Sequence, residues 1–196
     1  MGSEIYHDDC KGCAYSRRTE EPRGGIIELP GNWILNHYGG PEGFLGWLAL
    51  QPRFHRMELT DLNTDETNAL GTNIQNIDLA LRQWWAIKFS EDPVRRVYVV
   101  YFFESAFEKS SDKYHLHIHL IPRTERFDSL SIHVSKTKGI SKEECVRLTG
   151  WNIHQLSKHN DFPTKYQVRE ENNANRPKVE ALMTYLRGYL CRSLTS

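Results

Sequence analysis

Apolar residues in the middle of the chain recur at steps of three and four, which is typical of an amphipathic helix. The stripe consists of Leu70, Ile74, Ile77, Leu81, Trp84 and the long stem of Lys88. Thr64, followed by Asp65 and Glu66, makes a suitable start because acidic side chains in a first turn favour the helix dipole. Pro93 ends the region. The pattern predicts one long central helix.

Short apolar runs on both sides of this helix predict strands. Upstream are residues 25–29 and 33–36, separated by the turn Pro30-Gly31-Asn32, and residues 44–51, which Pro52 stops. Downstream, residues 94–103 are rich in Val, Tyr and Phe, and residues 114–121 form a second run closed by Pro122. This order of elements predicts an α+β fold with an antiparallel sheet.

The last third of the chain has a different pattern. Residues 141–144 are a capping box that begins a short helix, and residues 165–176 form a polar loop. Pro177 suits the first turn of a final helix, whose apolar face is Val179, Leu182, Met183, Leu186 and Leu190. We therefore expect a first domain at 1–127 and a C-terminal helical extension at 128–196 packed on it.

The composition narrows the class of partner. The 196 residues are 39% hydrophobic, and 25 basic residues balance 25 acidic ones. This balance argues against a large basic surface for duplex nucleic acid or a membrane. The sequence has neither an apolar run long enough to span a bilayer nor a signal-peptide core at its start. We expect a cytoplasmic protein.

Three histidines near the middle of the chain alternate with apolar residues. On a strand, His115, His117 and His119 would share one face over about 13 Å, opposite the core face. Such a row could simply fill the solvated face of an edge strand. A metal site made by all three is less favourable, because neighbours two apart on one strand do not converge on one tetrahedral ion.

Two of the four cysteines, Cys10 and Cys13, form a C-x-x-C pair. In a reducing compartment this spacing favours metal or redox chemistry over a structural disulfide, and the alternative is a pair of free thiols near a flexible terminus. Cys145 and Cys191 lie in apolar helical patterns, which predict buried thiols.

The sequence HLHIHLIPR at 115–123 resembles the signature of the histidine-triad family, in which three histidines alternate with apolar residues. Residues 33–36 and 46–55 resemble the first strands of that family, so the resemblance covers about residues 10–123. It points to the zinc-bearing branch related to nucleotide hydrolases and to nucleotidyl transferases similar to galactose-1-phosphate uridylyltransferase.

The resemblance implies a reaction and roles for individual residues. Family members bind a nucleotide and attack its α-phosphorus with the middle histidine, here His117, to form a covalent nucleotidyl-histidine. His119 would contact the phosphate and could protonate the leaving group. Asn36 would face the ribose hydroxyls, although its place before His37 is equally typical of a turn residue. A homodimer is the usual assembly of the family.

The resemblance also implies a structural zinc site. Zinc-bearing relatives use the first triad histidine, a histidine at the place of His55 and an N-terminal cysteine pair. The corresponding set here is Cys10, Cys13, His55 and His115. Two thiolates and two imidazoles are a common closed zinc set, with no open position for water.

The chain departs from the family near the triad. Glu104 stands where Asn or Gln is usual, and the stretch 109–113 lacks the usual glycine and glutamine, although Ser110 or Ser111 could donate to phosphate. Two alternatives to an enzyme therefore stay open. One is a non-catalytic nucleotide-binding module, and the other is a zinc-stabilised interaction protein that uses Trp151, His154 and His159 of the extension.

Overall fold

A five-stranded antiparallel sheet with helices packed against it forms the fold, which confirms the predicted α+β class. The computed structural model describes residues 5–40, 43–101, 113–127, 129, 166–167 and 176–193. The elements in these ranges are α1 (Lys11–Ser16), β1 (Ile26–Leu29), β2 (Trp33–His37), β3 (Leu48–Pro52), a 3-10 turn (Leu59–Asp61), α2 (Thr64–Lys88), β4 (Val94–Val100), β5 (Ile118–Thr124) and α3 (Arg176–Ser193). No helix among these described elements has the length and apolar character needed to cross a membrane.

The strand order β1-β2-β3-β5-β4 puts β5 between β3 and β4, with every neighbour antiparallel. Asn36 of β2 is paired with Ala49 of β3, and Ala49 is paired with His119 of β5. Residues directly opposite one another project to the same face of a sheet. Asn36, Ala49 and His119 therefore form one row across three strands.

The hairpin between β1 and β2 lies against the start of α2. Gly31 and Asn32 in its turn have φ values of 69° and 58°, which is the left-handed region that favours glycine and asparagine. A Cβ atom on Gly31 would lie 2.5 Å from both the Asp65 carbonyl oxygen and the Ala69 Cβ. Glycine at this position therefore allows the close contact between hairpin and helix.

The strand predicted at 44–51 begins four residues later than expected, at Leu48. Gly46 has a φ of 86°, and the Trp47 N–H donates to the Phe44 carbonyl oxygen at 3.0 Å, so the chain turns here. The strand also includes Pro52, paired with Trp33, where we expected it to stop. Pro52 is the last residue of β3, a place where the missing N–H is tolerated.

The strand predicted at 114–121 is displaced in the same direction. It begins at Ile118 because the Leu116 N–H donates to the Arg56 carbonyl oxygen at 2.7 Å instead of joining the β3 ladder. It then continues through Pro122, which we expected to end it. Pro122 lies beyond Leu120, the last residue paired with β3, so no N–H is needed on that side. Residues 102–103, at the end of the predicted strand 94–103, lie outside the described residues.

The predicted long helix is confirmed as α2, Thr64–Lys88. Its N-cap is Asn63, whose side chain accepts from the Glu66 N–H while the Glu66 carboxylate accepts from the Asn63 N–H, at 2.9 and 2.8 Å. This reciprocal capping box satisfies two backbone donors at the helix start. Within the predicted stripe Ile77, Leu81 and Trp84 are buried, and Leu70 and Ile74 are half-buried.

The predicted face of the final helix is buried in the same core as the sheet. Its members Val179, Leu182, Met183, Leu186 and Leu190 are at most 2% exposed. Cys191 is exposed, so the prediction of a buried thiol there is wrong. One residue advances a helix by about 100°, which carries Cys191 off the face that holds Leu190. Cys145, the capping box at 141–144 and most of the predicted loop 165–176 lie outside the described residues.

A buried ion pair joins the loop after β3 to the start of α2. The Arg56 guanidinium donates to both carboxylate oxygens of Glu66 at 3.0 Å, and the two side chains are 5% and 0% exposed. The same guanidinium donates to the His55 carbonyl oxygen at 3.1 Å. Glu66 thus caps the helix and neutralises the buried Arg56 guanidinium.

We expect Glu66→Gln to destabilise the fold by about 3 kcal/mol, because a buried guanidinium would lose its counter-charge while the capping geometry is kept. Urea unfolding would measure this. Glu125→Gln is the matched control: Glu125 also pairs with an arginine, Arg95, but is 75% exposed, and exposed pairs contribute at most about 1 kcal/mol. Equal unfolding midpoints for the two variants would contradict the role assigned to the buried pair.

Candidate active site

A short helix holds the cysteine pair over one end of the sheet. This helix, α1, extends to Ser16, with Cys10 at its N-cap and Cys13 in its first turn. Residues three apart share a helix face. Between them Gly12 lies against His115, where a Cβ atom would come within 2.4 Å of the His115 Cγ. Any other residue at this position would push the helix away from the histidine.

The four predicted metal ligands meet beneath this helix. The Cys10 Sγ lies 3.4 Å and the Cys13 Sγ 3.6 Å from the His115 Nδ1, and the Cys13 Sγ lies 3.3 Å from the His55 Nδ1. All four ligand atoms are within 4.8 Å of one another. Sulfur and nitrogen ligands around one tetrahedral zinc are separated by about 3.5 Å. The cluster therefore has the donor types and the spacing to hold a metal ion.

A hydrogen bond outside the cluster determines which ring nitrogen of His115 faces the two sulfurs. Its Nε2 lies 2.9 Å from the Pro52 carbonyl oxygen. A carbonyl can only accept, so Nε2 carries the proton and the Nδ1 lone pair faces the sulfurs. The His7 N–H donates to the Cys13 Sγ at 3.4 Å. Both contacts are typical of the surroundings of a metal ligand, and they fit a bound ion.

The two thiols compete for one negative charge. A hydrogen bond from Cys13, helped by His115 and His55, holds the pKa of the Cys10 thiol far below its ordinary value. The same contact with Cys10, together with burial, raises the pKa of the Cys13 thiol. A divalent cation between the sulfurs would remove this opposition, since it stabilises both thiolates.

His117 is the most accessible of the three alternating histidines. His117 is half-buried, whereas His115 and His119 are buried. The His117 Nδ1 lies 2.8 Å from the His115 carbonyl oxygen, so Nδ1 must be the donor. In the neutral ring this leaves the lone pair on Nε2. Only His119 belongs to β5, because His115 and His117 precede it, yet Leu116, Ile118 and Leu120 all enter the core as the alternation predicts.

The third histidine is surrounded by aromatic rings. The His119 and His117 rings are 4.7 Å apart, nearly perpendicular, and the Tyr38 ring is 4.9 Å from His119. The Trp47 Nε1 donates to the His119 Nδ1 at 2.9 Å. Burial, with a smaller contribution from His117, lowers the pKa of His119 to about 3. His119 is therefore neutral at pH 7.

Asn36 is part of β2, so the alternative of a turn residue is wrong. It is 3% exposed, its Nδ2 donates to the His37 carbonyl oxygen at 2.9 Å, and its Oδ1 has no hydrogen-bond partner among the described residues. Asn36 and His119 are two strands apart in the same row, about 10 Å between backbones. Ser110, Ser111 and Glu104 lie outside the described residues, as do Trp151, His154 and His159.

Sequence reasoning missed two contacts of this site. Trp47 was part of an apolar run, and nothing in its spacing distinguishes a hydrogen-bonded indole from a core ring. Gln51, which donates to the Gly12 carbonyl oxygen at 2.9 Å and so holds α1 on the sheet, did carry a signal. It is a polar residue inside an otherwise apolar run that is buried throughout.

A comparison with solved structures identifies the fold. The chain is similar to a zinc-bound histidine triad family protein from Mycobacterium smegmatis, with a TM-score of 0.52 and 15% sequence identity, over 95% of this chain and 96% of that one. No protein-family model matches the chain, and the curated proteins include no match either. The likeness confirms the histidine-triad fold.

A buried histidine at the end of β2 should make the fold sensitive to acid. Burial lowers the pKa of His37 to about 4, against about 6.5 in an unfolded chain. Between these values the unfolded state takes up a proton that the folded state refuses, so stability falls as the pH drops, by up to about 3 kcal/mol at pH 4. We expect His37→Asn to flatten this loss in urea unfolding at pH 6.5 and pH 4.5. Parallel pH dependences for variant and parent, at equal metal content, would contradict it.

Proposed function

We propose that this protein is a nucleotide hydrolase or nucleotidyl transferase that acts at the α-phosphorus through a covalent nucleotidyl-histidine on His117. The observation that carries the proposal is the 2.8 Å hydrogen bond from the His117 Nδ1 to the His115 carbonyl oxygen. It keeps the proton on Nδ1 and so places the lone pair of the neutral, half-buried ring on Nε2. Neutral imidazole in this form is a good nucleophile near pH 7.

The reaction divides into two displacements at phosphorus. The Nε2 lone pair of His117 bonds to the α-phosphorus while the bond to the leaving group breaks, and the leaving group departs with that electron pair. The ring then carries a positive charge, and its Nδ1–H is held by the His115 carbonyl oxygen. A water or another acceptor oxygen next bonds to phosphorus and loses its proton, and the P–N bond breaks, which returns neutral His117.

Other residues have supporting roles in this proposal. Asn36 lies in the same row as His119 with an unsatisfied buried Oδ1, which suits a ribose hydroxyl, since a hydroxyl can donate to it. Ser110 and Ser111 would donate to phosphate oxygens. We also propose that residues 1–127 form the catalytic unit, that residues 128–196 form a helical extension on it, and that the chain works as a homodimer in the cytoplasm.

We further propose that Cys10, Cys13, His55 and His115 hold a structural zinc ion. Four protein ligands complete a tetrahedral shell, so the ion would contribute folding energy and would not bind substrate. His115 would then have two functions: its imidazole binds the metal, and its carbonyl oxygen accepts from His117. The site would therefore fix the backbone that orients the nucleophile.

Metal analysis of the purified protein should find about one zinc per chain. Cys13→Ser should lose most of it and lower the melting temperature by roughly 10 °C, the equivalent of about 3 kcal/mol for a chain of this size. Cys191→Ser is the matched control, because Cys191 is exposed on α3 and is not one of the four cluster residues. A parent protein that is free of metal and keeps its melting temperature in chelator would disprove the zinc site.

Alanine variants of the three histidines should fail in different ways. His117→Ala should keep the fold, the zinc and nucleotide binding but lose turnover by at least about 10,000-fold, because no other group can take over the covalent step. His115→Ala should lose zinc and stability together with activity. His119→Ala should lower turnover partially, by about 100- to 10,000-fold. Melting temperature, zinc content, nucleotide affinity and intact mass after incubation with an adenylated or uridylylated substrate would be measured side by side.

A nucleotidyl adduct on the parent that is absent from His117→Ala supports the enzyme. An adduct that persists in His117→Ala means that another residue is the nucleophile. Nucleotide binding by the parent without adduct or turnover would replace the proposal with a non-catalytic binding module.

A further inference from the structure

The indole of Trp47 makes a hydrogen bond to the third histidine: its Nε1 donates to the His119 Nδ1 at 2.9 Å. Both side chains are buried, at 4% and 3% exposure. An indole nitrogen is a donor only. The His119 Nδ1 must therefore present a lone pair, and the proton of the neutral ring must be on Nε2.

We propose that Trp47 is a positioning residue that fixes His119 as its Nε2–H tautomer, so that His119 serves the reaction as a hydrogen-bond donor to the phosphoryl group and not as a source of protons. This inference rests on the proposed function at His117. It assigns His119 a narrower role than the transfer of a proton to the leaving group.

The charged form of His119 is opposed by the same contact. An imidazolium carries a proton on both ring nitrogens, so its Nδ1–H would point at the indole N–H. One of the two side chains would have to turn away inside a packed site. The burial that already disfavours the cation acts in the same direction.

The indole itself is held firmly. Its ring stacks on Tyr38 at 4.8 Å and 25°, and Phe44 packs edge-on at 5.4 Å. Its backbone is fixed as well, because the Trp47 carbonyl oxygen accepts from the Tyr38 N–H at 2.8 Å. Gly46 before it allows this segment to pack closely on the Trp85 ring, since a Cβ there would lie 2.8 Å from that ring. A donor so constrained can select one tautomer.

The three rings form a chain of fixed proton positions. The His115 Nε2–H faces the Pro52 carbonyl oxygen, the His117 Nδ1–H faces the His115 carbonyl oxygen, and the His119 Nδ1 faces the Trp47 indole. Protein acceptors hold the first two protons. The third contact is the reverse, since the protein supplies a donor, and so it leaves the His119 proton on Nε2.

The test is the tautomer itself, read by nitrogen-15 NMR of histidine-labelled protein at pH 7. In the parent the His119 Nδ1 should give the signal of an unprotonated nitrogen and Nε2 that of a protonated one. Trp47→Phe keeps an aromatic ring between Tyr38 and Phe44 but removes the N–H, so it should give a mixture of the two tautomers. Trp33→Phe is the matched control: it removes a buried indole donor to the Glu66 carbonyl oxygen and should leave the His119 signals unchanged.

Kinetics provide the second measurement. Trp47→Phe should lower kcat by about 10- to 100-fold, the range seen when a partner that orients a functional histidine is lost, with KM changed by less than about threefold. In a His119→Ala background the same substitution should have no further effect on kcat. A loss of packing alone would instead lower the melting temperature of Trp47→Phe and Trp33→Phe alike, without a change of tautomer.

Three results would overturn the inference: a protonated Nδ1 on neutral His119 in the parent, an unchanged tautomer in Trp47→Phe, or an unchanged kcat despite a changed tautomer. The NMR result does not depend on turnover. If the parent forms no nucleotidyl adduct, the proposed function fails, and the tautomer measurement still decides what Trp47 does to His119.

Discussion

The buried ion pair between Arg56 and Glu66 is the interaction on which the site depends most. Arg56 follows His55, one of the four candidate metal ligands, and its carbonyl oxygen accepts from the Leu116 N–H, while Glu66 caps α2. One pair of charges thus ties the loop after β3, the approach to β5 and the long helix to one another. A buried pair adds little net stability over apolar residues but is costly to break, and this pair holds the segments that place the His55 and His115 rings 5.3 Å apart.

Local patterns were sufficient to predict much of the fold. Apolar residues at steps of three and four predicted the buried faces of α2 and the final helix, and the turn Pro30-Gly31-Asn32 predicted the first hairpin. Both signals depend only on nearby residues. The strand ends were less predictable. β5 begins late because Leu116 bonds to Arg56, sixty residues away in sequence, and it continues through Pro122 because its pairing with β3 stops at Leu120, opposite Leu48, the first residue of β3. Neither strand end can be predicted from the residues next to it.

The candidate site was also predictable only in part. The alternation at 115–119 and the C-x-x-C spacing pointed to the candidate site residues, and the four cluster residues do come together. What sequence could not supply is the protonation of each ring, since that is set by partners such as Pro52 and Trp47 that resemble ordinary strand residues. The Arg56–Glu66 pair was equally hidden, because two charged residues ten apart usually lie on the surface.

The position of Cys10 and Cys13 in the chain has a consequence during synthesis on the ribosome. The Cys10 thiol contacts His115, which lies 105 residues further along the chain. A ribosome that adds about 5–20 residues per second would need roughly 5–20 s to deliver that partner. The cysteines are therefore made well before the histidine that they contact in the fold. Throughout that interval the nascent chain holds a C-x-x-C pair that lacks this partner, and such a pair is open to oxidation and to metal binding.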